Sequence, residues 1–215
     1  MNILLELKHV YYRFAKRGEW LFKDINLCVA PGTRTAILGT SGAGTTALFE
    51  LVIGLRKASQ GEVKRHGKIG LVTQNFSWYQ DLTVAENIEF CRVINDGNPR
   101  QVEQLLSLTT LKNWENTRAQ QLPAGFRRML QVVCALVREP DLLVLDDPTA
   151  GLDQVLQKKL NILLEQVNAA GTAILIFTSD QRMIADCQQV FYLNQQCLLN
   201  DTKAEESEDK KEAWL

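Results

Sequence analysis

The sequence lacks a strong charge of either sign, and it lacks any apolar run of bilayer length. Its 215 residues carry 24 Lys and Arg against 25 Asp and Glu, a formal net charge of -1. That balance does not favour nucleic acid as a partner. The longest apolar runs, residues 142–145 and 173–177, are far shorter than the roughly 20 residues of a transmembrane helix. We therefore expect a chain that does not cross a membrane by itself.

Metal-ligand spacing is also missing, and we expect no leader sequence. Two histidines, His9 and His66, accompany five scattered cysteines without a C-x-x-C pair, so a metal site built on them is not expected. Residues 1–10 mix charged side chains among apolar ones, unlike a signal peptide. Scattered cysteines without a secretion signal are typical of buried thiols in a reducing compartment.

The sequence does contain an alternation of strand-like and helix-like segments. The first 75 residues are mostly strand-like, interrupted by a helix that begins near Gly44. Residues 83–114 have helical periodicity and indicate a small helical lobe. After Gly125, helices alternate with short apolar strands. This order predicts an α/β fold with a mainly parallel sheet and helices on both faces.

A glycine-rich turn follows the third strand-like segment and leads directly into the first helix. Its residues are Gly39, Thr40, Ser41, Gly42, Ala43, Gly44, Thr45 and Thr46. Glycines let successive backbone N–H groups point inwards, and the helix start adds a positive end, so the turn predicts a phosphate site. A glycine turn without a phosphate role is the alternative interpretation.

The lysine of the usual phosphate-binding pattern, Gly-Lys-Ser/Thr, is missing from this turn. Thr45 occupies its position, whereas Thr46 still offers a hydroxyl to magnesium. Hydrogen bonds to charged groups are worth about 1.5–3 kcal/mol, so the loss weakens triphosphate binding roughly ten- to a hundredfold. The backbone cradle remains, and we expect weakened rather than abolished binding.

Two carboxylates, Asp146 and Asp147, follow the apolar run 142–145. Acidic residues at the carboxyl end of a parallel strand lie at the sheet edge where ligands bind. We therefore predict that Asp146 holds magnesium, directly or through water. Capping of the next turn is the alternative interpretation.

Taken in order and spacing, these motifs resemble the nucleotide-binding family of ABC transporters, over about residues 3–199. Residues 150–153 match the family's D-loop, which crosses the dimer interface. Residues 82–88 match the segment that opens its helical lobe. The resemblance implies a P-loop NTPase fold of the ABC type, with a mainly parallel central sheet, an antiparallel β subdomain and an inserted helical subdomain.

The same resemblance suggests roles for two further residues. Gln74 matches the Q-loop glutamine, which reaches magnesium and the attacking water. Phe14, upstream of Gly39, matches the aromatic that stacks on adenine. Tyr12 is the fallback for that role, and core packing is the alternative for both aromatics.

Cofactors, domains and partners also follow from the resemblance. It implies ATP and Mg²⁺ as cofactors, with Thr46, Gln74 and Asp146 around the metal. It implies one domain over residues 1–200, with the helical subdomain at about residues 75–124. A second nucleotide-binding subunit and separate transmembrane subunits would be its partners, at the cytoplasmic face of the inner (plasma) membrane and without nucleic acid.

The signature segment departs from the family pattern. Residues 122–126 read Leu-Pro-Ala-Gly-Phe, where the family has Leu-Ser-Gly-Gly-Gln. In the family, that serine and the adjacent backbone clamp the γ-phosphate bound to the opposite subunit. Pro123 has neither a hydroxyl nor an N–H. Gly125 and the helix start behind it remain as phosphate donors, so we expect a weak clamp.

Two catalytic positions also depart from that pattern. Asp147 takes the place of the catalytic glutamate and is one methylene shorter, and a misplacement of about 1 Å can cost roughly a hundredfold in rate. Ser179 takes the place of the switch histidine. Together with Thr45 and Pro123, these residues predict weak or no hydrolysis, although whether the chain is an enzyme stays open.

We favour a heterodimer with a more hydrolysis-competent subunit. The alternatives are an active homodimer using Asp147 as base, a soluble ABC protein acting on nucleic acid or ribosomes, and a structural cassette without nucleotide. Three aromatics after Gln74, at Phe76, Trp78 and Tyr79, could receive a transmembrane coupling helix or pack the lobe. Residues 201–215 are interpreted as a solvated charged tail, with a docking helix as the minority alternative.

Overall fold

The computed structural model describes residues 3–40, 42–74, 78–194 and 196–200. The chain forms two compact units. One covers residues up to His66 together with those from Leu175 onwards, and the other covers Gly67–Ile174. The predicted helical subdomain, residues 75–124, falls within the second unit. Ser41, Phe76 and the tail lie outside the described residues.

The described segments contain nine strands and five α-helices. The strands are β1 Leu5–Tyr12, β2 Phe22–Val29, β3 Arg34–Gly39, β4 Gln60–Arg65, β5 Ile69–Val72, β6 Leu142–Asp146, β7 Ala173–Thr178, β8 Gln189–Asn194 and β9 Cys197–Asn200. The helices are α1 Thr45–Ile53, α2 Val84–Ile94, α3 Pro99–Thr109, α4 Ala124–Leu136 and α5 Gln154–Ala169. Short 3-10 helices cover Leu111–Trp114, Ala119–Gln121 and Gln181–Ile184.

The first unit contains an antiparallel sheet of order β2-β1-β4. Along β2, buried Phe22, Ile25, Leu27 and Val29 give the sheet one apolar face. Cys28 lies between two of these positions and is exposed, as is Cys197 at the start of β9. The expectation that all the thiols are buried is therefore wrong for these two, because strand alternation directs Cys28 outwards.

In the first unit, the strand before the glycine turn, β3, is buried along its whole length. β3 pairs in parallel with β8, and Gly39 lies opposite Leu193. β9 then pairs antiparallel with β8. This last strand was not predicted, because its short run of residues has no distinctive periodicity.

The second unit pairs β5 with β6 in parallel, and β6 is buried throughout. Signature helix α4 lies beside β5. The helix ends at Leu136, a few residues before the Glu139–Pro140 step at which its end was expected. Glu139 adopts a left-handed φ of 51°, and its N–H donates to the Leu136 carbonyl (2.9 Å). The helix therefore ends before Pro140, which lacks a backbone N–H, would interrupt it.

The helical subdomain begins with a well-satisfied helix start. Thr83 and Glu86 form a reciprocal capping box at the start of α2. The buried Asn87 side chain donates to the carbonyls of Tyr79 and Thr83 (both 2.9 Å) and accepts the Tyr79 N–H (2.7 Å). These bonds connect α2 to the segment before it.

None of the helices in the described ranges is long and apolar enough to span a bilayer.

Candidate functional site

The glycine turn has the backbone geometry of an anion cradle. Gly42 and Gly44 adopt left-handed φ angles of 85° and 96°. α1 then begins at Thr45, with Thr46 exposed in its first turn. Among the described residues no side chain caps this helix start. Its leading N–H groups can therefore serve a bound anion.

Close packing requires two of the glycines in this turn. A Cβ on Gly44 would lie 2.9 Å from Phe22 Cε1, and one on Gly39 would lie 2.3 Å from Thr45 Cγ2. Contacts this short do not occur without a shift of the neighbours. Thr45, at the lysine position, thus packs against the start of the turn.

A cavity of about 540 Å³ lies beside the turn, in the first unit. Gly42 and Ala43 contribute to its wall together with Phe14 from the loop after β1. Phe14 is 69% exposed, whereas Tyr12 is 6% exposed and packs edge-on against Phe14 (ring centroids 5.4 Å apart). Of the two aromatics considered for the base, Phe14 is the accessible one.

Trp20 also lines this cavity, and sequence reasoning missed it. The Arg13 guanidinium lies 4.3 Å from the centre of the Trp20 ring, and Tyr11 meets that ring edge-on at 5.6 Å. Trp20 occupies the connection before β2, where no periodicity or motif marks it. Only the fold brings it to the cavity.

In the second unit, the end of β6 carries two neighbouring carboxylates, those of Asp146 and Asp147. Asp146 is 6% exposed. Burial, and secondly the negative charge of Asp147, raise the pKa of Asp146 to about 6, against the lowering effects of a hydrogen bond with Gln74 and of the Arg128 charge. A divalent cation stabilises such ionised pairs, and carboxylate and amide oxygens are the ligands that Mg²⁺ accepts.

A buried guanidinium connects the signature helix to this acidic pair. Arg128 on α4 is 3% exposed. Its Nη1 donates to the Thr73 carbonyl (2.6 Å) and to Gln131 Oε1 (3.0 Å), and its Nη2 donates to the Asp147 carbonyl (3.3 Å). Burial lowers the pKa of Arg128, and Asp146 and Asp147 oppose that effect. Arg128 therefore holds the backbone before Gln74 and at Asp147.

Sequence reasoning missed Arg128 and Gln131, although a signal existed. Arg128 is three residues after Gly125 and four before Val132, which places it on the core face of the predicted helix. A charge on that face requires a partner, because burying an unpaired one is costly.

The signature segment and the D-loop pack together in the second unit. Pro123 occupies the N-cap of α4, and no described side chain caps that helix start. Gly125 is buried, and a Cβ there would lie 2.5 Å from Leu156 Cδ1 and 3.4 Å from the Gly151 carbonyl. Asp153 caps α5 by accepting the Leu156 N–H (2.8 Å). Gly125 thus has a packing role beside its predicted phosphate role.

The remaining predicted residues differ in their exposure. Ser179 is exposed after β7, next to an Asp180 that pairs with Arg182 (2.7 Å). Tyr79 is exposed and meets Phe90 of α2 edge-on, with ring centroids 4.7 Å apart. Trp78 is half-buried.

The structure thus brings predicted residues together in two groups. The first unit places Phe14 beside Gly42 and Ala43. The second places Gln74 against Asp146 and its neighbour Asp147. The roles predicted for these residues, and for Thr40, Thr45, Thr46, Gly125 and Ser179, stay predictions.

Comparison with known proteins establishes the class to which this architecture belongs. Residues 22–150 match the family described as ABC transporter. This match covers more than half of the sequence, and the chain belongs to the ABC transporter family. Both the predicted family and the predicted P-loop NTPase fold of the ABC type are confirmed. Members of this family bind ATP with Mg²⁺, in agreement with the predicted cofactors.

Individual relatives agree with this assignment. The spermidine/putrescine import ATP-binding protein of Clostridium novyi (strain NT) is 31% identical over 194 residues, which cover 83% of this chain and 55% of that protein. The chain thus spans little more than half of that relative's length.

Two solved structures resemble most of the chain. The structure of cbiO1 from Clostridium perfringens, part of the ABC transporter complex cbiONQ, is 25% identical with a TM-score of 0.80, covering 99% of this chain and 93% of that one. The ATP-binding cassette MJ0796, seen as a dimer with ADP and Pi, is 24% identical with a TM-score of 0.79, covering 90% and 96%. This second likeness concerns the fold alone.

Proposed function

We propose that this chain is an ATP-binding subunit of an ABC transporter that binds Mg-ATP and couples closure of a subunit pair to separate transmembrane subunits. The cavity that joins the glycine turn to the exposed Phe14 ring carries the proposal. The cavity offers an aromatic ring to a base and backbone N–H donors to phosphates. This arrangement matches the aromatic and anionic ends of a nucleotide. The closure of a subunit pair and its coupling to transmembrane subunits are proposed because the chain belongs to the ABC transporter family.

Mg²⁺ fits the residues present. Thr46 is exposed at the helix start and offers a hydroxyl. Asp146 and Gln74 offer hard oxygen atoms. The raised pKa of Asp146 shows that its negative charge is poorly stabilised by its surroundings, and a cation would supply that stabilisation. We propose that these three residues serve the same Mg-ATP.

Hydrolysis by this chain is proposed to be slow. Thr45 cannot supply a lysine charge, Pro123 cannot donate to a γ-phosphate, and Ser179 has no imidazole. Asp147 retains a carboxylate, but its backbone is held by Arg128 at a left-handed φ of 43°. A shortened side chain on a fixed backbone has little freedom to reach an attacking water.

Partners are proposed to bind on the second unit. The Tyr79 and Phe90 pair, together with Val93 and Ile94 of α2, exposes several apolar side chains. Exposed aromatic groups of this kind are typical of protein interfaces. We propose that they receive a transmembrane subunit, and that closure takes place with a second nucleotide-binding subunit, preferably a different one.

Titration of the purified chain with Mg-ATP, followed by calorimetry and by thermal shift, tests the central claim. Binding should raise the midpoint of unfolding as ligand accumulates, and Phe14→Ala should weaken binding. If the chain did not bind Mg-ATP, either alone or with co-purified membrane partners, the structural cassette without nucleotide would be the remaining interpretation.

Phosphate release separates slow from competent hydrolysis. We expect turnover well below about 1 per second, the low end of typical enzymes, and no further change in Asp147→Asn. Turnover near that value that is lost in Asp147→Asn would instead support the active homodimer.

A pull-down from membranes tests the partners. Tagged chain should co-purify with transmembrane proteins, and Tyr79→Glu should reduce the yield while leaving ATP binding unchanged. Co-purification with nucleic acid or ribosomes would support the soluble ABC alternative.

A further inference from the structure

We propose that Trp20 is a second aromatic wall of the base pocket and that, with Phe14, it makes the site selective for purine nucleotides. The inference rests on the proposed nucleotide function and names a determinant of its base selectivity. It concerns the cavity of the first unit.

Phe14 and Trp20 occupy matching places in one hairpin. Tyr12 of β1 is paired with Phe22 of β2. Phe14 lies two residues after this pair and Trp20 lies two residues before it. The Leu21 N–H donates to the Tyr12 carbonyl (2.8 Å) and closes the base of the loop. Both aromatics therefore leave the sheet at the same level, and both line the cavity.

The loop that carries them is ordered by its own bonds. The Gly18 N–H donates to the Ala15 carbonyl (2.9 Å), which forms a turn at the tip of the loop. At the start of the loop, the Arg13 N–H donates to Ser59 Oγ (3.2 Å). A loop fixed at its base, start and tip positions its aromatics before a ligand arrives.

Each cavity aromatic is supported by a tyrosine and an arginine. Phe14 has Tyr12 edge-on, and the Arg56 guanidinium lies 5.4 Å from its ring centre. On the other side, Trp20 has Tyr11 edge-on and Arg13 at 4.3 Å. Because these contacts restrict the rings, little side-chain freedom is lost when a base binds between them.

In this arrangement, contacts to the base contribute a large share of the binding free energy of the nucleotide. Thr45 weakens the phosphate end, whereas a second ring adds contact at the base end. Stacking on an aromatic side chain tolerates any base but grows with ring area. The site should therefore prefer purines to pyrimidines and should distinguish poorly between adenine and guanine.

Mg-ATP and Mg-tripolyphosphate, titrated into the full chain by calorimetry, separate the base from the phosphates. Trp20→Ala should weaken Mg-ATP binding roughly 5- to 100-fold, the range of one base stack, and should leave tripolyphosphate binding unchanged. Trp20→Phe should lie between these values. Leu55→Ala, which removes an exposed apolar side chain elsewhere in the same unit, is the matched control and should bind both ligands as the wild type does.

Base selectivity gives a second readout. The wild type should bind ATP and GTP within a few-fold of each other and bind UTP more weakly, and Trp20→Ala should reduce that purine advantage. Unchanged ATP affinity and unchanged purine advantage in both Trp20 variants would overturn the proposal. Loss of tripolyphosphate binding together with ATP binding would overturn it too, because Trp20 would then support the fold. If the wild type bound neither ligand, the proposed function itself would fail.

Discussion

The candidate sites in the two units are built from different kinds of chemical groups. In the first unit, the candidate site consists of backbone N–H groups, left-handed glycines and aromatic rings. In the second, it consists of buried charges, with Arg128 packed against the segments that carry Gln74, Asp146 and Asp147. The first site depends on shape and the second on electrostatic balance.

This difference explains which losses each site can tolerate. A site of backbone donors can lose a lysine and keep its cradle, because the N–H groups remain wherever the chain holds its conformation. In a buried charge network the effect of a loss depends on its sign, because removing the cation leaves the negative charges unopposed, whereas removing one of two neighbouring carboxylates relieves their repulsion. Mutations should therefore act mainly through steric fit in the first unit and through charge in the second.

Arg128→Met should have the largest effect. It removes the donor to the Thr73 and Asp147 carbonyls and leaves Asp146 without its nearby positive charge, so we expect about 3–5 kcal/mol lower stability at pH 7. Chemical denaturation measures this loss, and Arg128→Lys, which keeps the charge without the planar fork, should lose less. Equal losses of stability in the two variants would show that the shape of the guanidinium, and not its charge, stabilises this region.

Gly44→Ala should follow, at about 2–4 kcal/mol, because left-handed strain and overpacking against Phe22 add together. Gly42→Ala is the matched control. It has the same φ sign, and no described atom lies within 4 Å of its ideal Cβ, so about 1–2 kcal/mol of strain alone is expected. Denaturation and ATP titration should both separate the pair, and similar losses would contradict the steric explanation.

Asp146→Asn should stabilise the ligand-free chain by about 2–3 kcal/mol at pH 7.5, since each pKa unit corresponds to about 1.4 kcal/mol. Folding raises the pKa of Asp146 from 3.8 to about 6, so folding favours its protonated form. The stability of the wild type should therefore fall relative to the variant as the pH rises from about 4 to 6, and the two should converge below about pH 4. Denaturation across this range without Mg²⁺ measures the difference, and a constant gap would contradict it.

Thr45→Lys should have a smaller effect on stability and act on affinity instead. The added charge should strengthen Mg-ATP binding roughly ten- to a hundredfold. Thr45→Arg is a control for charge without lysine geometry and should gain less. Unchanged affinity in Thr45→Lys, measured by calorimetry, would show that the turn does not cradle phosphates.

Several parts of this architecture were predictable because they follow from local rules. The glycine turn stands out because left-handed backbone favours glycine, and the chain places Gly42 and Gly44 there. Asp146 and Asp147 were found because an apolar strand ends in charge. β9 was missed because its short run has no distinctive periodicity, whereas the outward direction of Cys28 follows from the alternation along β2 and was overlooked.

By itself, the sequence determined the family, the order of the elements, the glycine turn with Thr45 in the lysine position, and the acidic pair after β6. Motif spacing carries such information because it reflects local backbone demands. The helical position of Arg128 indicates its burial, but only the tertiary structure decided that its partner is the acidic pair and that Trp20 joins Phe14 at one cavity. Those contacts join residues through the pairing of β1 with β2 and the packing of α4, and no local pattern in the chain records which side chains such pairing brings together.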